Sequence, residues 1–223
     1  QNGLVADQQG TIAIRSNGVY PIRPGDGRGD LIRDGSASAS DWTGILPVDR
    51  YPQAINPAQG FLVSANQQPV DPLDNPAYLG ADWISPWRAL RINALIRAEP
   101  AMTPDRMRQM QTDPGSARAD AFVPYFLNAV RSAGPADSTA RQAAALLATW
   151  DRHYTQDNRM AVLFELAMDE LSLRTWDELT RSGESRPAWT PQGSTLIELV
   201  ADSTSVWWDD RRTADQVETR DAI

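Results

Sequence analysis

The spacing of apolar residues changes near Pro86, and this change restricts the folds that the chain can adopt. Before Pro86, short apolar runs are separated by glycine and proline, a pattern that is typical of strands. After Pro86, apolar residues recur three and four positions apart, which is typical of helices. Strands followed by helices indicate an α+β fold, so we predict a strand-rich segment at residues 1–86 and a helical segment at residues 87–223.

The first segment is predicted to contain a hairpin and a long loop. Residues 7–10, Asp-Gln-Gln-Gly, separate two short apolar runs and should connect them as an antiparallel pair. Residues 24–40 are rich in glycine, aspartate and serine, which favours a surface loop. The predicted strands are residues 4–6, 11–15, 18–22 and 60–65.

The second segment is predicted to be a succession of helices. Thr103 precedes Pro104 and an aspartate, an arrangement that caps the N-terminus of a helix. Thr213 is predicted to cap a last helix that is still in progress at Ile223, so we expect the domain to continue further. The other predicted helices are residues 87–99, 143–150, 160–173 and 194–201, and one with the apolar stripe Phe122, Phe126 and Val130.

Composition excludes several classes of function. The net charge is −8 and the pI is about 4.7, so there is no basic surface for a phosphate backbone, and nucleic acid is not expected as a partner. All 21 basic residues are arginine, which excludes Schiff-base lysines, P-loops and Ser-Lys catalysis. The absence of cysteine excludes thiolate nucleophiles. No apolar run reaches about 18 residues, so no membrane span is predicted.

Polar residues outside these patterns are weaker candidates for a site. His153 is the single histidine, and no neighbour has the spacing of a catalytic triad or a metal cluster, so we expect it to be solvated or at a helix end. Asp209 and Asp210 follow two tryptophans; a sugar-hydrolysing pair of acids is an alternative there, but adjacent side chains point in different directions. A carbohydrate-binding module is another alternative, and it would require tryptophans exposed on one surface.

The loop GDGRGDLIRDG, residues 25–35, is the candidate for an ion site. It lacks the alternating acids and the terminal glutamate of an EF-hand. A backbone carbonyl of this loop, or Asp30, remains a candidate ligand for an ion that is shared with other residues.

Asn66 and Arg88 are the most informative polar residues. Asn66 ends a short apolar run, and Arg88 lies at the start of the first predicted helix, after a tryptophan-rich connection. An amide donor close to a fixed cation is suited to stabilising an oxyanion. Taken singly, Asn66 could also be a turn residue and Arg88 a surface or salt-bridged arginine, so spacing alone makes this pair a candidate and does not decide its role.

Four stretches of the chain resemble the penicillin acylase (penicillin amidase) family. They are QNGLVADQQGTIAIRSNGVYPIR (1–23), DWTGILPVDRYPQAINPAQGFLVSANQQP (41–69), YLGADWISPWRALRI (78–92) and VWWDDRRTADQVETRDAI (206–223). The resemblance implies the αββα sandwich of N-terminal-nucleophile hydrolases, with this chain as an internal part of the large subunit. It also implies a precursor that cuts itself into a small and a large subunit, and a bacterial periplasmic or secreted location.

The resemblance further implies a mechanism for amide hydrolysis. An N-terminal Ser attacks the amide carbonyl and its own α-amino group acts as the base. Asn66 falls on the asparagine of the oxyanion hole. Arg88 falls on the arginine that positions this asparagine and the N-terminal amine. No cofactor is implied for the chemistry.

The chain departs from the family pattern at several positions. It begins at Gln1, so the nucleophile must be supplied by the Ser-bearing part of the large subunit, and the small subunit is also a predicted partner. Ser16 precedes Asn17 as in the start of the family's large subunit, but it is internal and is not expected to react. The loop around Gly29 would contribute a carbonyl to a structural calcium ion, yet Ala77 stands where some members have a carboxylate.

These departures lead us to expect that the isolated chain is inactive. The assembled protein is expected to hydrolyse a small-molecule amide. The sequence does not decide whether this amide is a β-lactam, an acyl-homoserine lactone or another compound. The alternative is a non-catalytic binding or scaffold protein of the same fold.

Overall fold

The computed structural model describes residues 2–133, 138–191, 193–213 and 218–223. The chain forms two compact units, Gln1–Ala89 and Leu90–Ile223. The described strands lie in the first unit, and most of the helical residues lie in the second. The α+β class that the sequence predicts is therefore confirmed.

The described residues of the first unit form five short strands in two separate sheets. The strands are β1 (Asn2–Ala6), β2 (Ile12–Ser16), β3 (Pro21–Ile22), β4 (Gly44–Ile45) and β5 (Gln53–Ile55). Strands β1, β2 and β5 form an antiparallel sheet in that order, with Leu4 opposite Ile14 and Ile14 opposite Ala54. Strands β3 and β4 form a two-stranded antiparallel sheet of their own.

The hairpin between β1 and β2 is the one that the sequence predicts. The Asp7 carboxylate accepts hydrogen bonds from the backbone N–H groups of Gln9 (3.0 Å) and Thr11 (2.8 Å). Gly10 has φ +86°, a left-handed conformation that costs glycine no steric penalty. The strands predicted at 4–6 and 11–15 are thus confirmed, with ends that shift by one or two residues.

The other strand predictions are less accurate. The strand predicted at 18–22 is reduced to Pro21–Ile22. The strand predicted at 60–65 is wrong, since these residues are all described and none of them is in a strand. Strands β4 and β5 have no counterpart in the predictions. The loop predicted at 24–40 is confirmed, apart from a short 3-10 helix at Ser38–Ser40.

The described α-helices are α1 (Trp87–Arg97), α2 (Pro104–Met110), α3 (Ala117–Ser132), α4 (Ser138–Thr149), α5 (Arg159–Thr175) and α6 (Gly193–Leu199). Polar side chains cap three of them: the Thr103 hydroxyl accepts the N–H of Arg106 (3.2 Å), as the sequence predicts. Ser116 and Asn158 cap α3 and α5 in the same way. Short 3-10 helices occur at Val48–Arg50, Asp177–Leu179 and Val206–Trp208.

Aromatic residues fill the core of the second unit. The rings of Trp150 and Phe126 lie 5.5 and 6.2 Å from the ring of Phe164, which is fully buried on α5. Trp176 and Trp208 are buried as well. These three tryptophans act as core residues, and they are not the exposed surface that a carbohydrate-binding module would need.

The last predicted helix falls partly on residues 214–217, which lie outside the described residues. Residues 218–223 form turns, in which the carbonyl of Thr219 accepts from the N–H groups of Ala222 and Ile223. The prediction of a helix that runs to Ile223 is therefore wrong for these six residues.

Candidate active site

The segment before Asn66 is an irregular stretch that side chains hold in place. Asn56 has φ +46°, and its side-chain oxygen accepts the N–H of Ile12 (2.9 Å), which fastens the start of the segment to β2. A turn at Gly60 follows, where the N–H of Gly60 donates to the carbonyl of Pro57 (2.9 Å). The chain then runs to Asn66 without a partner strand among the described residues.

Asn66 lies in a left-handed backbone conformation, with φ +64°. Asparagine tolerates this region better than most residues other than glycine. Arg88 secures the conformation, because its Nη2 donates to the carbonyl of Ala65 and to Oδ1 of Asn66, both at 2.9 Å. The N–H of Ile84 donates to the carbonyl of Asn66 (3.2 Å). The structure thus brings together the two residues that the sequence selects.

The contact with Arg88 determines which way the Asn66 amide faces. A guanidinium group has only hydrogen-bond donors, so the atom that faces it must be the oxygen Oδ1. The amide nitrogen Nδ2 then points away from Arg88, and no acceptor within the described part of the chain bonds to it. Asn66 is exposed at this position. Arg88 therefore leaves Asn66 with an outward-facing N–H donor.

Two residues that the sequence analysis does not select also support Asn66. Gln67 accepts the N–H of Ala65 at Oε1 (2.7 Å) and donates from Nε2 to the carbonyl of Val63 (3.1 Å). Asn2 donates to the hydroxyl of Ser64 (2.9 Å), which ties the segment to β1. Gln67 is adjacent to Asn66 in sequence and was within reach of prediction. Asn2 lies 62 residues from Ser64, and no local pattern indicates their contact.

The surroundings of Ser16 do not suit a nucleophile. Ser16 is only 5% exposed, and its hydroxyl donates to Oδ1 of Asn2 (3.1 Å) within the sheet. A buried hydroxyl that is committed to an amide oxygen cannot attack a substrate. This agrees with the expectation that Ser16 does not react.

His153 and Asp210, the alternative catalytic candidates, are engaged in contacts that serve the fold. Nδ1 of His153 lies 2.8 Å from the carbonyl oxygen of Asp151, and His153 is four residues beyond the end of α4. The Arg212 guanidinium, bonded to both carboxylate oxygens of Asp210, lowers the pKa of Asp210 to about 2. A carboxylate with so low a pKa cannot serve as a general acid near neutral pH. The backbone N–H of Asp210 donates to the Glu218 carboxylate (2.8 Å).

Arginines pair with two carboxylates of the loop around Gly29. Arg33 is ion-paired with Asp26, and Arg28 makes a two-point contact with Asp30 (3.0 and 2.5 Å). The bond to Arg28 lowers the pKa of Asp30 to about 2. Within the described residues, no three histidine, aspartate or glutamate side chains come close enough together to hold a metal ion. These residues do not by themselves fit a calcium centre, and an ion shared with other segments stays a prediction.

The structure also bears on membrane association. Among the helices in the described ranges, none is long and apolar enough to cross a bilayer.

Several known proteins are similar to this chain. A family model described as penicillin amidase matches residues 1–223. The acyl-homoserine lactone acylase QuiP of Pseudomonas aeruginosa is 30% identical over 100% of this chain and 28% of its own length. The penicillin G acylase of Escherichia coli is 26% identical over 67% of this chain and 18% of its own length. The penicillin acylase 2 proenzyme of Pseudomonas sp. is 32% identical over 56% of this chain and 15% of its own length.

The fold has a counterpart among solved structures. A thermostable penicillin G acylase from Alcaligenes faecalis superimposes with a TM-score of 0.66 at 24% identity. The match covers 81% of this chain and 33% of that chain. The chain therefore spans about a third or less of the proteins that it matches.

Proposed function

The chain belongs to the penicillin amidase family, and from this premise we propose that it is part of an amidohydrolase that cleaves a linear amide through an acyl-enzyme. The chain provides Asn66 as a donor of the oxyanion hole and Arg88 as the residue that orients it. A separate segment provides the N-terminal Ser nucleophile. The observation that carries the proposal is the outward-facing Nδ2 of Asn66, which Arg88 holds in position.

The proposed reaction follows from this geometry. When the Ser hydroxyl attacks the amide carbonyl, its proton passes to the α-amino group and the carbonyl oxygen gains a negative charge. Nδ2 of Asn66 donates to that oxygen and stabilises the tetrahedral intermediate. The left-handed backbone of Asn66 and its bonds to Arg88 and Ile84 exist before substrate binds, so little reorganisation is required at the moment of reaction.

Further segments of the same protein are proposed to cover this chain. Leu4 and Val5 point to opposite faces of the three-stranded sheet, and they are 51% and 64% exposed. Ile55 on the edge strand β5 is 64% exposed. Apolar side chains exposed on both faces support the proposal that a small subunit and the Ser-bearing segment pack against the sheet. A relative named as a proenzyme agrees with such processing. A periplasmic or secreted location is proposed on the family resemblance.

The proposal is tested by hydrolysis of an aryl-acetyl anilide with the assembled protein. Intact mass and N-terminal sequencing should first identify a companion chain that begins with Ser. Asn66→Ala should then lower the rate by about a hundredfold or more, because removing one oxyanion donor raises the barrier by about 3 kcal/mol. A variant that retains near-normal turnover would contradict the role of Asn66.

A matched pair of variants separates the amide donor from the fold. Asn66→Asp keeps an oxygen for Arg88 but replaces the N–H donor with a second oxygen, so it should fold normally and lose activity as Asn66→Ala does. Asn128→Asp makes the same chemical change at an exposed position of α3 and should remain active. If no amide is hydrolysed by the intact assembled protein, the non-catalytic alternative is favoured.

A further inference from the structure

We propose that a cleft in the first unit, which we call the Arg23 cleft, binds a carboxylate group. The cleft has a volume of about 270 Å³, and its lining includes Arg23, Arg50, Tyr20, Tyr78, Leu46 and Ala77. Because Ala77 and the Gly29 loop are also the candidate calcium position, a carboxylate here is an alternative to a calcium ion at that position. Asn66 and Arg88 are not among its lining residues, so this proposal does not depend on the proposed hydrolysis. The volume suits a carboxylate with a small aromatic or aliphatic body and is below the range of most drug-sized ligands.

Arg23 lies over two aromatic rings. Its Cζ lies 5.9 Å from the ring centroid of Trp42 and 5.6 Å from that of Tyr78. The backbone of Gly29 also packs on the group, since a Cβ added at Gly29 would lie 2.7 Å from Cζ. Contact with aromatic rings holds a guanidinium by its positive charge and does not require its N–H groups to be paired with a carboxylate.

Few of these donors are used inside the protein. Nη1 of Arg23 makes one long hydrogen bond, 3.4 Å, to the carbonyl of Pro21. No described aspartate or glutamate forms an ion pair with Arg23 or with Arg50. The acid that lines the cleft, Asp26, is ion-paired with Arg33 and accepts the N–H of Arg28 (3.0 Å). The cleft therefore presents two cations whose charges are not balanced by the described residues.

The chemistry of the walls favours a carboxylate over other anions. A guanidinium edge presents two parallel N–H donors, whose spacing matches the two oxygens of a carboxylate. Tyr20 and Leu46 provide an apolar wall for the body of the ligand, and Leu46 is almost fully buried. Inorganic phosphate has no apolar part to use this wall. A carboxylate of small organic size uses both features.

Two sources of this carboxylate are compatible with the cleft. One is a free small molecule. The other is an aspartate, glutamate or terminal carboxylate from a different segment of the longer protein. Both would make the same contact with Arg23, and the experiment distinguishes them.

Benzoate is the probe, titrated into the full 223-residue chain by isothermal calorimetry, with binding followed in parallel by NMR of the arginine Nε–H signals. We expect saturable binding with a dissociation constant of about 1 mM or tighter, and a shift of the Arg23 signal. Benzamide, which has the same shape without the charge, should not bind measurably. Inorganic phosphate should bind at least tenfold more weakly than benzoate.

Variants connect the binding to the cleft. Arg23→Gln should weaken benzoate binding at least tenfold, which corresponds to the loss of one charge-assisted pair. Arg50→Gln should weaken it less and provides the test if Arg23→Gln does not fold. Arg181→Gln, at an exposed arginine of the second unit, should leave the affinity unchanged. Absent or non-saturating binding, or equal effects of Arg50→Gln and Arg181→Gln, would overturn the proposal.

The same titration of the longer protein identifies the source. Binding of benzoate there indicates a site for a free carboxylate. The other outcome is that benzoate binds the isolated chain but not the longer protein, and that replacing one acidic residue of the longer protein by its amide restores binding. This outcome indicates that the protein supplies the carboxylate itself. Neither result depends on whether the longer protein hydrolyses amides.

Discussion

Gly115→Ala is expected to destabilise the second unit through one specific contact, with Arg91. A Cβ at position 115 would lie 2.5 Å from Nε of Arg91 and closer still to Cζ and Nη2. Arg91 has little freedom to move away, because its Nε and Nη2 donate to the two carboxylate oxygens of Asp113 at 2.6 and 2.8 Å. The guanidinium would need to shift by ~1 Å or more to restore an ordinary contact. A shift of that size breaks the two-point contact with Asp113.

The size of the effect follows from this geometry. Overpacking of a close contact costs about 1–3 kcal/mol, and weakening a charge-assisted pair adds about 1 kcal/mol here. The side chains of Arg91 and Asp113 are 24% and 16% exposed, so the pair is only partly screened by water. We expect Gly115→Ala to lower the free energy of unfolding by about 2–4 kcal/mol.

A double-mutant cycle isolates the contact. In an Arg91→Ala background the added methyl group meets no guanidinium, and restriction of the unfolded chain should make Gly115→Ala neutral or stabilising by about 0.5 kcal/mol. Urea unfolding of the wild type, both single variants and the double variant gives the coupling energy. Equal costs of Gly115→Ala in the two backgrounds would refute the reasoning, because the clash with Arg91 would then play no part.

Other predictions concern the first unit. Asn66→Gly should be more stable than Asn66→Ala by about 1 kcal/mol in urea unfolding, since only glycine is unstrained at φ +64°; the reverse order would contradict the left-handed assignment. Gln67→Ala should raise the hydrogen-exchange rate of the Ala65 amide at least tenfold, whereas Gln67→Glu, which keeps the acceptor oxygen, should keep this amide protected. Equal exchange rates in the two variants would show that the Gln67 side chain does not hold the Ala65 amide. Because bonding to Arg28 lowers the pKa of Asp30 from 3.8 to about 2, this bond stabilises the fold above about pH 4, and its contribution is lost as the pH falls toward 2. Asp30→Asn should flatten the pH dependence of stability between pH 4 and 2, and an unchanged slope would argue against the ion pair.

Sequence reasoning succeeds where a few neighbouring residues determine the backbone. The hairpin at Asp7 and the helix start at Thr103 were predictable because each depends on side-chain bonds that span four residues or fewer. The failure at residues 60–65 has a physical reason. Gln59 and Gln67 bond to the backbone of this apolar run in place of a neighbouring strand, so residues 61–63 are half-buried without belonging to a sheet.

The candidate site was predictable to a similar degree. Asn66 and Arg88 were selected by a family resemblance, and residue types at that spacing alone would not have joined them. The orientation of the Asn66 amide depends on a contact across 22 residues, which no local rule indicates. The Arg23 cleft was missed because its cation is held by aromatic faces, Trp42 and Tyr78, from two distant parts of the unit.

The strand order β1-β2-β5 also has a consequence for biosynthesis. The hairpin of β1 and β2 is complete at Ser16, but its third strand begins only at Gln53, 37 residues later. At ribosomal rates of about 5–20 residues per second, β2 waits roughly 2–7 s for its second neighbour. A two-stranded hairpin is only marginally stable by itself. During this interval the nascent chain has an open strand edge, so correct folding depends on keeping that edge from other chains until β5 leaves the ribosome.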